Sequence, residues 1–474
     1  MSDIFSKKFL PLLFSRFLSA INNNFMSVAF LFFVTYHLTQ TATGFLIPAL
    51  LLYALAFCVG STFAGQWADK VSKKKFLCLC TLAELSVVIL ASVALTLDSK
   101  WLFVLIIGSM GAISACTRVG TYALIPDLVS DKKLVQGNAW LKALTFVGYG
   151  LAGLALSTTI KWELGWVMPC AVAGVLAVAS FIITTRLPKD NAVDPGMQIV
   201  KNPIHIFDFL ADTLRFQYDK WAYLVGIAWF WVISFMVLMV SSEYVQTFLH
   251  ARWSVVMFIS ACIFPLGYVL GSTLSAYLSK KHSLGTQIVW VGIIISLALF
   301  DFVFATRALN NIVVDKDITI FRLLTEHGRY WRIIADVFVL GTAMAMYIIS
   351  FYTLLQKATP KKLMGRMISF SGLLNALTVA GALVFVLLMR TLSFDVVDIV
   401  GLSAITNLGV TLYMVRLLPI KSRRSFFKFV LGKIFRVKVS GLENLKKVGS
   451  RALIVANHTS FMDVLLFLLL LISQ

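Results

Sequence analysis

Charge is scarce in this sequence, and negative charge is the scarcer sign: charged residues make up 14% of the chain, with 22 Asp and Glu against 42 Lys and Arg. A soluble globular domain carries about 25% charged residues, so that class is excluded. Cysteine is sparse too. Cys58, Cys78, Cys80, Cys116, Cys170 and Cys262 all fall in apolar stretches, and none stands in a Cys/His spacing that suits zinc. The chain therefore implies no disulfide framework, no metal and no cofactor. No short apolar segment with a small-residue cleavage site comes first, so the opening apolar run reads as a retained span. Also missing is the dense polar lining that a sugar path demands.

What fills the chain is apolar: 59% of residues are hydrophobic and the mean hydropathy is +0.87. A helix crossing hydrocarbon needs about 20 such residues. Stretches of that kind run Phe9–Tyr36, Gly44–Gln66, Phe76–Leu97, Trp101–Ile125, Ala139–Ile160, Leu164–Thr185, Ala222–Phe248, Val255–Leu278, Gly285–Ala305, Ile333–Leu355, Met367–Met389 and Phe394–Leu417. The expectation is an all-α membrane protein with twelve transmembrane helices.

The net charge of +20 is not spread evenly. Lys7, Lys8, Lys70, Lys73, Lys74, Lys75, Lys132, Lys133, Lys280, Lys281, Lys357, Lys361, Lys362, Arg366, Arg423 and Arg424 lie in alternate loops, and the opposite loops carry little. Positive-inside bias places both termini in the cytoplasm of a bacterial inner-membrane protein. Anionic headgroups of the membrane lipids are the natural partner of that basic face. No basic domain interleaved with aromatics exists, which excludes nucleic acid as a partner. Trp101, Trp162, Trp166, Trp221, Trp253 and Trp331 fall near span ends, where an amphipathic ring suits the interface.

An internal repeat organises the spans. Gly60-Ser61-Thr62 closes the second and Gly271-Ser272-Thr273 the eighth, each followed by small, polar and then basic residues. Two six-span halves related in this way are the architecture of a rocking secondary transporter.

Gly65-x-x-Ala68-Asp69-Lys70-x-x-Lys73-Lys74-Lys75 resembles the cytoplasmic loop signature of the major facilitator superfamily. There Gly65 permits close helix approach and Asp69 pairs with a positive helix N-terminus, with Lys70, Lys73 and Lys74 at the headgroups and the inside gate. Further stretches resemble the lysophospholipid transporter family: Leu18 to Phe25, Tyr122 to Pro126, Leu134 to Ala139, Trp229-Phe230-Trp231, Gly341 to Gln356, Gly365-Arg366 and Asn375-Ala376-Leu377. At two positions the chain departs from that family, with Asn23 where an Asp is usual and Thr121 where a Lys is usual.

Polar residues inside apolar spans are the candidate substrate contacts. Asn22, Asn23 and Asn24 cover nearly a full turn of the first span, so at least one amide faces the bundle interior. Glu84 lies midway along the third span and must face a cavity, pair with a cation or be protonated. Arg118 offers a planar fork to a lipid phosphate or snorkels. Glu243 and Tyr244 end the seventh span. Gln356 and Asn375 read as contacts between helices.

The tail differs in composition. Lys421 to Arg436 is basic with Phe and Leu interleaved, as in an interfacial segment. Two short strand-like runs then lead to Asn457-His458-Thr459-Ser460-Phe461-Met462-Asp463, which resembles the first motif of glycerolipid acyltransferases. The resemblance implies His458 as general base and Asp463 as its orienting partner. The later motifs of that family have no counterpart in the sequence, so a truncated α/β fragment without acyltransferase activity is expected.

The expected organisation is a first six-helix half over residues 1–186, a central cytoplasmic loop over 187–221, a second half over 222–418, a basic linker over 419–436 and an acyltransferase fragment over 437–474. The resemblance implies transport of lysophospholipids to the cytoplasmic leaflet for re-acylation. It also implies a partner in an acyltransferase/acyl-carrier-protein ligase encoded downstream. Three alternatives stay open: a proton-coupled exporter of amphipathic compounds, a membrane-anchored acyltransferase completed by a second polypeptide, and a non-functional remnant.

Overall fold

The computed structural model describes residues 6–37, 42–97, 100–159, 167–200, 220–247, 255, 258–309, 319–325 and 328–417. Helices dominate, because a backbone crossing hydrocarbon must satisfy its own N–H and C=O groups. The long ones are α1 (Leu10–His37), α2 (Ala42–Lys70), α3 (Lys73–Leu97), α4 (Lys100–Leu128), α5 (Leu134–Thr159), α6 (Val167–Thr185), α7 (Trp221–Thr247), α8 (Phe264–Leu278), α9 (Leu284–Leu309), α10 (Gly328–Ala358), α11 (Met364–Thr391) and α12 (Val396–Leu417). Eight helical segments among the described residues are long and apolar enough to cross a membrane. Trp101, Leu55, Leu297, Phe304 and Val384 are among the large apolar side chains left exposed on the outer surface, where lipid rather than water is their natural neighbour.

The expected spans and the helices differ at several ends. α2 and α3 run on through Lys70 and from Lys73, where basic residues begin. The second-half helix expected from Val255 is led into by a π-helical turn at Ile259–Ile263. The stretch from Thr306 to Arg332, read as a loop, contains the end of α9, a short helix Ile320–Thr325 and the start of α10. In the first and last of these cases a helix continues beyond its apolar run, and hydropathy alone does not reveal that.

The first half packs α1 on α5 and α6, α2 on α4, and α3 on α4 and α6; the second packs α8 on α10, α9 on α10 and α12, and α7 on α10, α11 and α12. The repeated Gly-Ser-Thr has a physical role in this arrangement. A Cβ on Gly60 would come within 2.8 Å of the Ala112 backbone on α4, and one on Gly271 within 2.0 Å of the Thr342 carbonyl on α10. The two glycines thus let the corresponding helix pairs, α2 with α4 and α8 with α10, cross backbone to backbone. Between the halves, α2 lies on α11, α5 on α8 and α10, and α4 on α11.

Candidate functional site

The seam between the halves is close at the end where α2 turns into α3. A Cβ on Gly65 would lie 2.5 Å from Ser369 Cβ and 2.9 Å from the Gly365 carbonyl, so α2 and α11 touch through their backbones. Ser369 Oγ donates to the Ser61 carbonyl across this contact. Asp69 is fully buried. Its Oδ1 accepts the Gly365 N–H at 3.0 Å, and its Oδ2 accepts the Arg366 N–H and Nε, both at 3.2 Å. The residue at the N-cap of α11 is Leu363, which has no side-chain acceptor. Asp69 therefore caps a helix of the other half with a full negative charge, where the dipole and the free N–H groups favour one.

The lysines around it are not alike. Lys70 is half-buried at the end of α2. Lys73, expected at the headgroups, is buried instead: its Nζ donates to Asp127 Oδ2 at 2.5 Å and to the Ala123 carbonyl at 3.1 Å. Asp127 Oδ1 also meets Lys361 Nζ of the second half at 3.2 Å. Lys74 Nζ donates to the Leu187 carbonyl at 2.5 Å. The start of the central loop straps this end. Asp190 accepts from Ser72 Oγ at 2.5 Å and from the N–H of Lys73 and Lys74 at 2.7 and 3.2 Å, capping α3. The Asp194 N–H donates to the Asp69 carbonyl at 2.9 Å, and the Val200 N–H to Gln66 Oε1 at 2.8 Å.

One layer further in, the seam is held by amides and rings. Asn138 Nδ2 donates to Gln356 Oε1 at 2.6 Å and to Thr353 Oγ1 at 3.1 Å, while Gln356 Nε2 donates to the Tyr122 carbonyl at 3.0 Å. Gln356 is thus a contact between the halves. Tyr122 and Tyr352 stack face to face at 4.1 Å. Arg118 donates through Nη1 to the Tyr352 hydroxyl and through Nη2 to the Ile368 carbonyl, each at 3.2 Å. Its guanidinium fills the space a side chain at Gly372 would take, since a Cβ there would fall 1.6 Å from Nη2.

Glu84 belongs to a separate network inside the first half. Ser19 Oγ donates to both carboxylate oxygens, at 2.9 and 2.8 Å, Thr117 Oγ1 donates at 3.2 Å, and Arg16 Nη1 stands 4.0 Å away. Thr117 bonds Glu84 while its neighbour Arg118 reaches the second half, so the structure puts these two site candidates on different faces of α4. Asn22 is buried with Oδ1 unpartnered. Asn23 Nδ2 meets Ser19 Oγ at 3.5 Å, and Asn24 Nδ2 donates to the Tyr149 carbonyl at 2.9 Å. Asn375 is buried with its Oδ1 unpartnered.

This architecture has known counterparts. Residues 12–418 match the Major Facilitator Superfamily. The chain belongs to that superfamily. Residues 436–474 match the family described as Acyltransferase. Among solved structures, the proton:xylose symporter XylE is 13% identical with a TM-score of 0.65, covering 88% of this chain and 96% of its own. A bacterial homologue of the iron transporter ferroportin in its outward-facing state is 14% identical with a TM-score of 0.63, covering 85% and 98%. A variant of the E. coli fucose:proton symporter FucP is 9% identical with a TM-score of 0.63, covering 86% and 98%. At these identities the likeness establishes the fold. No curated protein matches. As a superfamily member with apolar helices of this length, the chain is a multi-pass membrane protein and a secondary transporter.

Within this superfamily fold the remaining candidates fall at its edges. Glu243 and Tyr244 lie on the last turns of α7, and nothing is described of their side chains; His458 and Asp463 lie outside the described residues. Three residues at the seam escaped the sequence reading. Lys142 is buried on α5 beneath three aromatic rings. Asp127 bridges two lysines, and Asp190 caps α3. A lysine inside an apolar helix was the available signal for the first. Nothing local marks the other two.

Proposed function

We propose that this transporter moves lysophospholipids across a bacterial inner membrane to the cytoplasmic leaflet, by rocking its halves about the α2–α11 and α5–α8 seams. The observation that carries the reading is the coupling in one chain of a superfamily transporter with a segment matching an acyltransferase family. A one-chain phospholipid is a cargo that acyl transfer can consume. His458 and Asp463 fall in that matched segment, as candidates for a general base and its orienting carboxylate. With both termini cytoplasmic, the seam closed by Asp69, Gly65 and Gly365 is the inside gate. Opening it breaks the Asp69 cap on α11.

The test is translocation in proteoliposomes holding the full chain. Labelled lysophosphatidylethanolamine should cross much faster than in protein-free vesicles, and a labelled sugar should not. Equal rates with and without protein refute the reading. The buried Glu84–Arg16 network supports a second reading, proton-coupled export of amphipathic compounds. That reading requires substrate-stimulated proton movement which Glu84→Gln abolishes.

A further inference from the structure

The most unusual charged group in the described bundle is Lys142. It is 7% exposed, on the third turn of α5. Its ammonium lies over the rings of Tyr122 at 5.4 Å, Tyr352 at 5.5 Å and Trp231 at 5.8 Å, contributed by α4, α10 and α7. The same Tyr352 accepts from Arg118, so two cations converge on one side chain from the first half. Among the described residues neither has a carboxylate within ion-pair distance: Glu84 faces Arg16, Asp69 faces Arg366, and Asp127 faces Lys73 and Lys361.

Ring faces attract a cation but do not neutralise it, and that attraction is smaller than what desolvating the ammonium forfeits. The neighbourhood also holds donors that nothing described accepts from. Arg118 Nε and Trp231 Nε1 are buried without a hydrogen-bond partner. Positive charge and unused donors in one place describe an anion site without its anion.

We infer that Lys142 and Arg118, with Tyr122, Tyr352 and Trp231, form the subsite that binds the phosphodiester of an amphiphilic substrate. One turn along α5 from Lys142, Phe146 stacks on Tyr268 of the second half at 3.6 Å, with Phe264 beside them. That column is an apolar wall for the acyl chain, next to the charged site. The arrangement also explains how cargo loosens the seam. To bind an oxyanion, Arg118 exchanges the Ile368 carbonyl and the Tyr352 hydroxyl for substrate oxygens, and both of those groups belong to the second half. Binding thereby removes two inter-half hydrogen bonds directly above the Asn138–Gln356 contact. The identity of the amphiphile rests on the proposed function; the anion site does not.

The experiment titrates the purified full chain in lipid nanodiscs, following tryptophan fluorescence. The probes are lysophosphatidylethanolamine, monoacylglycerol of the same chain length, dodecyl phosphate and glycerophosphoethanolamine. Lys142→Gln should raise the Kd of the two phosphate-bearing amphiphiles about tenfold or more and leave monoacylglycerol unchanged. Lys142→Arg should restore binding to within about threefold. Unchanged Kd values in Lys142→Gln, or an equal loss for monoacylglycerol, overturn the assignment. If Lys142→Gln does not fold, competition on the unaltered chain decides: dodecyl phosphate should displace the bound lysolipid and dodecanol should not, whereas equal displacement overturns it. Binding of dodecyl phosphate with the Lys142 dependence intact, but none of lysophosphatidylethanolamine, supports the site and refutes the proposed cargo. Tight binding of glycerophosphoethanolamine alone refutes the need for an acyl chain, and with it the amphiphile.

Discussion

Two adjacent layers of the inter-half seam treat charge in opposite ways. Around the α2–α11 contact, charges are matched: Asp69 meets Arg366 and two backbone N–H groups, and Asp127 meets Lys73 and Lys361. One layer deeper, around Tyr122 and Tyr352, Arg118 and Lys142 have aromatic faces, a hydroxyl and a carbonyl but, among the described residues, no carboxylate. A matched seam can close by itself. An unmatched one is completed by what passes through. In the proposed mechanism the first is the latch and the second the cargo site.

The sharpest way to break the comparison is to wedge the latch. Gly65→Val places a side chain where Ser369 and the Gly365 carbonyl already sit, and transport should fall to background while the protein remains in the membrane. Asp69→Ala comes next. It uncaps α11 and leaves Arg366 without its carboxylate, a loss of about 3–5 kcal/mol for a broken buried pair. Cysteines placed on the α2–α3 turn should then become more reactive toward impermeant reagents, because the latch opens.

Gln356→Ala removes the inter-half bonds from Asn138 and to the Tyr122 carbonyl while Asn138 keeps Thr353 and the Leu134 carbonyl, costing about 1–3 kcal/mol, read as a lowered Tm in nanodiscs. Lys361→Ala should do far less, since its side chain is 68% exposed and Asp127 keeps Lys73; about 0–1 kcal/mol is expected for an exposed pair. The smallest change points the other way. Ser393 ends α11 at φ 65°, with the Phe394 N–H returning to the Met389 carbonyl at 3.0 Å, a left-handed helix stop that favours glycine. Ser393→Gly should raise stability by about 1 kcal/mol, with transport unchanged.

Much of the fold was legible because lipid imposes a simple rule. Apolar runs of span length gave the helices near their places, and Gly60 and Gly271 revealed the repeat because close helix crossing needs small residues. Asp69 was legible by its place in a loop pattern that resembles the superfamily signature. The interior of the site was less so. Glu84 was expected to contact substrate as a carboxylate in an apolar helix, yet Ser19, Thr117 and Arg16 surround it within one half. Which face of α3 it occupies depends on how α1 and α4 pack, and local sequence does not encode that. Lys73 shows the same limit, since its partner Asp127 is 54 residues away. Lys142 could have been noticed as a cation inside an apolar helix, but its three rings come from three other helices.

The most direct test of the central claim is uptake of labelled lysophosphatidylethanolamine by spheroplasts that make the chain. Uptake should rise with time above that of spheroplasts lacking the chain, and it should be lost in Asp69→Ala and in Lys142→Gln. Identical uptake with and without the chain would contradict the account.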